Sequence, residues 1–165
     1  MVKFVPSSPL ERLARRALTD WKADDVLRER LARALGSARV PWRPQRRMSG
    51  GMFLLAVDVE HFKEQLIETL TRRADVLAAT ALDQPKEVLS PGRIELRATL
   101  RPGRTGAALA GELSRSFDAP VSVEPDGEAL HVVVNLGELT VRFLEHLRRH
   151  DSVKYAQLNH LATLS

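Results

Sequence analysis

Apolar residues recur at every second position from Arg93 to Arg101, which is the period of a β-strand with one buried face. A Pro102-Gly103 break follows, and apolar residues then recur at helical spacing from Leu109 to Phe117. Two further alternating segments flank a turn built on Pro125-Asp126-Gly127. The pattern therefore predicts a strand, a helix and a β-hairpin, in that order.

A second helix is predicted directly after the hairpin. Asn135 and Glu138 have the spacing of a capping pair at a helix start. Six residues then form one helical stripe, namely Leu136, Leu139, Thr140, Phe143, Leu144 and Leu147. Together these elements make a predicted βαββα unit that ends near Arg149.

The N-terminal segment predicts a helical arm. Ser8-Pro9-Leu10-Glu11 has the cap, the proline and the glutamate of a helix start. Apolar residues share one helical face from Leu10 to Trp21 and again from Val26 to Leu35, which is compatible with one bent helix or with two helices. Gly36 is the predicted C-terminal cap, and residues 1–7 are interpreted as a loose lead-in.

The middle of the chain reads as a linker followed by an apolar run. Residues 37–51 contain two prolines, two glycines and no acid, and are interpreted as a linker. Met52–Val57 predicts a buried strand that leads into a helix capped by Asp58, although the run could already be helical. Helical spacing of apolar residues extends this predicted helix to Leu77, and residues 81–91 are interpreted as a loop.

We therefore predict an α+β fold in which a helical arm precedes a small sheet of three or four strands. The sheet is at least partly antiparallel, and helices pack on one of its faces around the βαββα core. The predicted segments are a helical arm (1–36), a basic Pro/Gly linker (37–51), an α+β body (52–150) and an apolar C-terminal tail (151–165). A short helix in the tail would explain the spacing of Leu158, Leu161 and Leu164.

Charge and composition narrow the class of protein. The net charge is +4, yet residues 1–50 hold 12 Lys/Arg against 5 Asp/Glu, and residues 51–165 hold 13 against 16. The chain has no cysteine, which excludes disulfides and thiolate metal sites and fits a reducing compartment, so we expect a cytoplasmic protein. The longest apolar run is far shorter than the ~20 residues of a membrane span, and no secretory signal is seen, so no membrane partner is expected.

The basic linker is the first candidate site. Arginine side chains in this segment would neutralise phosphates while an indole ring stacks on a base. The residues concerned are Arg39, Trp42, Arg43, Arg46 and Arg47. The alternatives are a solvated linker and a segment that lies on an acidic protein surface.

A second candidate is the row of arginines on the predicted strand. Arg93, Arg97 and Arg101 lie on the polar face of that strand, where residues two apart are separated by about 6.5–7 Å. This separation is comparable with the repeat of phosphates along a nucleic-acid strand. Glu95 lies between two of these arginines, so a solvated face with local ion pairs is the competing interpretation.

Gly103-Arg104-Thr105-Gly106 is a third candidate. A GxxG turn that opens a helix, followed by two strands and another helix, resembles part of a KH RNA-binding domain, in which the turn clamps nucleotides. The resemblance implies a nucleic-acid contact at Arg104. The chain departs from that family because strand residue Leu100 leaves no room for the helix that precedes the turn.

Enzymatic and metal chemistry are disfavoured by the sequence. His146 and His150 have the spacing of two metal ligands on a helix, but Arg148 and Arg149 add positive charge beside them. Asp58 follows an apolar run without a second carboxylate that can be placed beside it. No nucleophile and base pair is recognisable. We therefore predict no catalytic residues, no metal site and no cofactor.

Two functional hypotheses lead, and an enzyme stays the third. The first is a non-enzymatic nucleic-acid-binding protein that uses the arginine-rich linker and the basic sheet face. The second is a non-catalytic subunit of a homo- or hetero-oligomeric assembly, held by the apolar stripe from Leu10 to Leu35 and by the tail from Leu158 to Leu164. Neither DNA, RNA nor protein is singled out as the partner, and the oligomeric state stays open.

Overall fold

The chain is an α+β protein with two four-stranded antiparallel sheets and helices packed alongside. The computed structural model describes residues 1–37, 39–82, 92–103 and 105–158. Its contacts divide the chain into two compact units, the first formed by Met1–Asp58 with Thr140–Ser165 and the second by Val59–Leu139. Each unit contains one of the sheets, and the predicted division into four segments stays a prediction.

The regular elements of the first unit begin at the N-terminus. They are β1 (Val2–Phe4), α1 (Pro9–Asp20), α2 (Asp25–Leu35), β2 (Trp42–Arg47), a short 3-10 turn (Ser49–Gly51), β3 (Phe53–Val57) and β8 (Val153–Ala156). Those of the second unit are α3 (Val59–Thr71), β4 (Val76–Ala81), β5 (Arg93–Leu100), α4 (Gly106–Phe117), β6 (Val121–Asp126) and β7 (Ala129–Asn135). The boundary between the units falls within α5 (Leu136–Arg148).

The first unit is built on sheet 1, whose strand order is β2-β3-β1-β8. One face of this sheet is buried under α1 and α5, and the side chains on it include Val2, Phe4, Trp42, Phe53 and Ala156. The Trp42 and Phe143 rings stack with their centroids 4.1 Å apart. Such a pair contributes about 0.5–1.5 kcal/mol beyond its buried area.

Helix α1 begins at the predicted cap, and α2 ends at the predicted glycine. The Glu11 backbone N–H donates to Ser8 Oγ at 3.2 Å, which satisfies a donor at the start of α1. The chain forms two helices here, because the Asp24 carboxylate accepts from Leu27 N at 2.9 Å and starts α2. Gly36 ends α2 with a φ of +65°, the left-handed conformation typical of this cap.

The second unit is built on sheet 2, whose strand order is β4-β5-β7-β6. The predicted alternation of β5 is confirmed, since Ile94, Leu96 and Ala98 are buried. The predicted hairpin is also confirmed as β6 and β7, which meet at Gly127. Helices α3 and α4 cover the apolar face, where the Phe62 and Phe117 rings lie 5.5 Å apart.

Sheet 1 was missing from the predicted fold, which contained a single sheet. Strand β1 lies in the predicted lead-in, strand β2 takes six of the fifteen residues of the predicted linker, and strand β8 lies at the start of the predicted tail. Strands of three and four residues show too few alternations to be recognised. The charges and the proline of β2 argue against a central strand, but edge strands tolerate both.

Strand β4 was also missed, because the predicted helix was too long. Helix α3 ends at Thr71, and Ala74 and Leu77 only continue its spacing by coincidence. The Arg73 guanidinium pairs with the Asp75 carboxylate at 2.8 Å, which stabilises the turn between α3 and β4. The predicted loop begins at residue 81, which is the last residue of β4, and most of it lies outside the described residues.

The structure settles one open interpretation and confirms one predicted helix cap. Phe53–Val57 is a strand, as expected for the apolar run, and not a helix. At the start of α5 the Glu138 N–H donates to Asn135 Oδ1 at 3.0 Å, as the capping pair predicts. Within the described ranges, no helix is both long enough and apolar enough to cross a bilayer.

Candidate functional site

The candidate site lies on sheet 1 and begins with β2, an edge strand. Arg43 pairs with Ala56 and Arg46 pairs with Leu54 across the β2–β3 ladder. Residues paired across an antiparallel ladder share a face, so both arginines lie on the face opposite Trp42 and Phe53. A bulge at Gln45 keeps Arg46 on that outward face although it is three residues from Arg43.

Two distant segments add side chains to the same outward face. Val2 pairs with the buried Phe53, so the next residue, Lys3, lies on the outward side. Lys3 in turn pairs with Tyr155 of β8. We call Lys3, Arg43, Arg46 and Tyr155 the basic face. The four strands place β2 and β8 about 14 Å apart, because neighbouring strands are separated by about 4.8 Å.

No acid interrupts the strands of sheet 1. Strands β1, β2, β3 and β8 contain five Lys/Arg residues and no Asp or Glu; the five are Lys3, Arg43, Arg46, Arg47 and Lys154. Among the described residues the ion pairs do not include Arg43, Arg46 or Arg47. The Nε atom of Arg43 is buried and has no hydrogen-bond partner among the described residues, so it is an unsatisfied donor that does not face solvent. On this face the exposed guanidinium of Arg46 therefore keeps donors available for an anionic ligand.

Tyr155 is the one tyrosine of the chain and is exposed, with 48% of its surface accessible. Its hydroxyl donates to Gln157 Oε1, which holds the ring beside the strand. A shallow cavity of about 280 Å³ adjoins it. Arg148 and Lys154 are among the residues that line this cavity, so the β8 edge is also cationic.

Trp42 does not lie on the basic face. Its indole is only 4% exposed and stacks on Phe143, with an angle of 13° between the ring planes. The ring is therefore part of the core, and the base-stacking role predicted for Trp42 does not fit this position. The exposed aromatic ring of sheet 1 is Tyr155 instead.

The remaining arginines of the predicted linker lie around β2. Arg39 is exposed ahead of the strand. Arg47 pairs with Phe53 in the ladder, so it lies on the helix side of the sheet at its exposed edge. Its charge helps to lower the pKa of Glu11, after the larger effects of the hydrogen bonds from Arg15 and from the Ser7 N–H. Arg47 is therefore adjacent to the basic face but not part of it.

The arginines of β5 belong to a different surface. Arg93 and Arg97 lie on the outward face of sheet 2 and are exposed. Arg97 Nε lies 3.7 Å from Asp126 Oδ2 of β6, and Glu95 Oε1 lies 3.6 Å from His131 Nε2 of β7. This face therefore carries the local ion pairs of the competing interpretation.

Arg101 and Arg104 are the last two of the predicted binding residues. Arg101 follows β5, is exposed, and its Nε atom donates to the Ala74 carbonyl at 2.7 Å. Arg104 lies outside the described residues. Strand β5 runs to Leu100, so no helix precedes the GxxG turn, and the departure from the KH pattern stands.

The two histidines of α5 cap another helix. His146 Nε2 lies 2.9 Å from the Leu35 carbonyl, and His150 Nε2 lies 2.9 Å from the Ala34 carbonyl. A carbonyl only accepts, so each Nε2 carries a proton and is not available as a metal ligand. In the described ranges no group of three or more acids and histidines is placed to hold a metal ion.

Asp58 and the helical arm also have structural partners in the first unit. The Asp58 carboxylate accepts from Trp21 Nε1 at 2.8 Å. The apolar stripe predicted for self-association is buried within the unit, including Leu10, Leu27, Leu31 and Leu35. Leu158 is half-buried, and Leu161 and Leu164 lie outside the described residues. Self-association through these segments stays a prediction.

Sequence reasoning missed Lys3 and Tyr155 as site residues. The signal was present but short: Val2-Lys3-Phe4 and Val153-Lys154-Tyr155-Ala156 each pair apolar residues with a basic one. Recognising the site also required knowing that the two ends of the chain pair with each other, as Val2 does with Ala156.

Comparisons with protein-family models, with curated proteins and with solved structures find no match.

Proposed function

We propose that the chain binds single-stranded nucleic acid on the basic face of sheet 1. The observation that carries this proposal is an outward sheet face with three cations, an exposed tyrosine and no acid in any of its four strands. Arginine and lysine provide the phosphate contacts, and the phenol ring provides a surface on which a base stacks. The proposal assigns no catalytic step.

Several features support an extended, single-stranded ligand. The cations lie across the sheet from the β2 edge to β1, and Tyr155 lies beyond them on the opposite edge strand. A backbone crossing the strands would meet Arg43 or Arg46, then Lys3, and then the aromatic ring. Unpaired bases have accessible faces, whereas those of a duplex are stacked within it.

Charge reversal on each sheet tests which one binds. The measurement is fluorescence anisotropy with labelled single- and double-stranded DNA and RNA oligonucleotides at two salt concentrations. We expect Arg46→Glu to weaken single-strand binding by about tenfold. Arg97→Glu is the matched control, because it makes the same change at an exposed strand position of sheet 2. Equal losses in both variants would reject sheet 1 as the specific site.

The salt dependence of the binding constant independently measures how many phosphates the protein neutralises. For a single strand the slope of log K against log salt is about −0.7 for each phosphate neutralised, so three cations predict a slope near −2. Arg46→Ala should make the slope shallower by about 0.7. Wild-type protein that shows no anisotropy change at low salt would remove nucleic acid from consideration.

Tyr155 tests the stacking part of the proposal. Tyr155→Ala should weaken single-strand binding by about 1–3 kcal/mol, the usual contribution of one base stacked on an aromatic ring. Tyr155→Phe keeps the ring and removes the hydroxyl, so it should retain most of the affinity. If both variants bind like the wild type, the cations act without stacking.

The alternative function is that of a non-catalytic assembly subunit. It is favoured by edge strand β4, because an uncharged strand edge can pair with a strand of another molecule.

A further inference from the structure

Among the four edge strands of the two sheets, three carry the residues that usually prevent strands from pairing between molecules. Charged residues and proline have this effect on sheet edges. Strand β2 contains three arginines and Pro44, β8 contains Lys154, and β6 ends in Glu124-Pro125-Asp126. Strand β4 reads Val-Leu-Ala-Ala-Thr-Ala and contains neither a charge nor a proline.

Strand β4 is also exposed. Four of its six residues are exposed, among them Leu77, with 57% of its surface accessible. In the described part of the chain β4 pairs only with β5, on one side. An exposed, uncharged strand edge is the type of surface that adds another strand.

We propose that β4 pairs antiparallel with β4 of a second copy of this chain, forming a two-fold symmetric dimer with a continuous eight-stranded sheet. The proposal is independent of nucleic-acid binding, because β4 belongs to sheet 2 and the basic face belongs to sheet 1.

Along β4, alternate residues direct their backbone N–H and C=O groups towards β5 and away from it, and this alternation fits the proposed pairing. The Leu82 N–H donates to the Glu95 carbonyl at 2.9 Å, so residues in phase with Leu82 direct their backbone groups towards β5. The intervening residues, Ala79 and Ala81, direct their N–H and C=O groups away from β5. Pairing Ala79 of each copy with Ala81 of the other uses all of these outward groups and places the two-fold axis at Thr80.

A second copy is the favoured occupant because the strand is complementary to itself. A two-fold axis brings each position close to its own equivalent, and like charges there would destabilise the pair. Strand β4 has no charge to repel itself, and its alanines allow close approach. An acidic or basic peptide would find no complementary charge on this strand. One strand pair is small beside a standard interface of about 1,600 Å², so we expect a dimer that dissociates on dilution.

The test uses sedimentation velocity of the full chain over a range of micromolar concentrations. The wild type should shift from monomer to dimer as concentration rises. Thr80→Lys should stay monomeric, because two lysines would face each other across the axis. Ser122→Lys is the matched control, since it places a lysine at an exposed position of β6, the opposite edge of the same sheet; it should dimerise like the wild type.

Charge complementation distinguishes self-pairing from a loss of folding. Thr80 lies opposite Arg97 within sheet 2, so circular dichroism should first show that each variant is folded. Thr80→Glu alone should also be monomeric, and an equimolar mixture of Thr80→Lys and Thr80→Glu should restore the dimer.

Hydrogen exchange provides the site-specific readout. The Ala79 and Ala81 amides should exchange more slowly at high protein concentration than at low concentration. A wild type that stays monomeric at the highest concentration, or a mixture of charged variants that does not dimerise, would overturn the proposal.

Discussion

Sheet 1 and sheet 2 have the same number of strands and the same antiparallel pairing, but their charges differ in sign. The strands of sheet 1 hold five Lys/Arg and no acid, whereas those of sheet 2 hold two Arg and three acids. The two units that contain these sheets also differ in the sign of their net charge. The first unit holds 16 Lys/Arg against 8 Asp/Glu and the second 9 against 13, which together make the 25 and 21 of the whole chain.

This comparison shows that the charge of a sheet face depends on neighbouring strands more than on any one strand. Alone, β5 looks basic because Arg93 and Arg97 share its polar face. The ladder then brings acids of β6 to that face, and Asp126 pairs with Arg97. In sheet 1 the strand beside β2 is the uncharged β3, so the cations of β2 are not neutralised by their neighbours.

The largest expected effect tests whether the units unfold separately. Both tryptophans, Trp21 and Trp42, belong to the first unit, so tryptophan fluorescence reports only that unit. Phe117→Ala removes a fully buried ring from the second unit and should cost about 3–5 kcal/mol. Urea unfolding followed by circular dichroism should show an earlier transition, while the fluorescence midpoint stays near that of the wild type.

The reciprocal variant is Leu31→Ala in the first unit, which should cost about 2–5 kcal/mol and shift the fluorescence midpoint. If Phe117→Ala moves both signals together, the two units form one cooperative folding unit, and the comparison between them applies only to their surfaces.

Replacing one glycine in each unit should have an intermediate effect on the free energy of unfolding. Gly36 in the first unit and Gly127 in the second have nearly equal φ angles, +65° and +62°. Alanine at either position should cost about 1–2 kcal/mol for the left-handed backbone. A Cβ at Gly36 would also lie 2.6 Å from His146 Nε2, whereas nothing lies within 4 Å of one at Gly127.

Gly36→Ala should therefore cost about 1 kcal/mol more than Gly127→Ala, because the hydrogen bond from His146 to Leu35 is displaced. Thermal or urea unfolding of the two variants measures the difference. Equal losses would show that the histidine cap contributes little to the first unit.

The smallest expected effect on the free energy of unfolding comes from replacing the capping glutamate of each unit. Glu11 is only 8% exposed, and its pKa is lowered by the hydrogen bond from Arg15 and then by the Ser7 N–H. A lowered folded-state pKa means that the ionised form stabilises the fold above the unfolded pKa and that this contribution is lost as the pH falls. Glu11→Gln should cost about 1 kcal/mol at pH 7, and the difference should shrink below about pH 4.3.

Glu138 occupies the equivalent position in α5 and is exposed, so Glu138→Gln should cost less than about 0.5 kcal/mol. Unfolding measured across the acidic range checks both variants. A cost of Glu11→Gln that does not change with pH would contradict the role of its charge.

The correctly predicted elements were those that short-range sequence patterns indicate. The βαββα unit, the start of α1, the Gly36 cap and the hairpin turn were identified from residues within one or two turns of each other. The candidate site was found only in part: Arg43 and Arg46 were named for the right segment, but in a linker and not in a strand.

By itself, the sequence determined the α+β class, the second unit's alternating strands and the excess of cations before residue 50, because these depend on spacing and composition. The tertiary structure decided sheet 1, strand β4 and the side of the sheet on which each cation lies. Strand β1 exists because Val2 pairs with Ala156 at the far end of the chain, and such a contact leaves almost no trace in a three-residue pattern. Short edge strands are stabilised by hydrogen bonds to distant partners, so their positions and their faces follow from the fold.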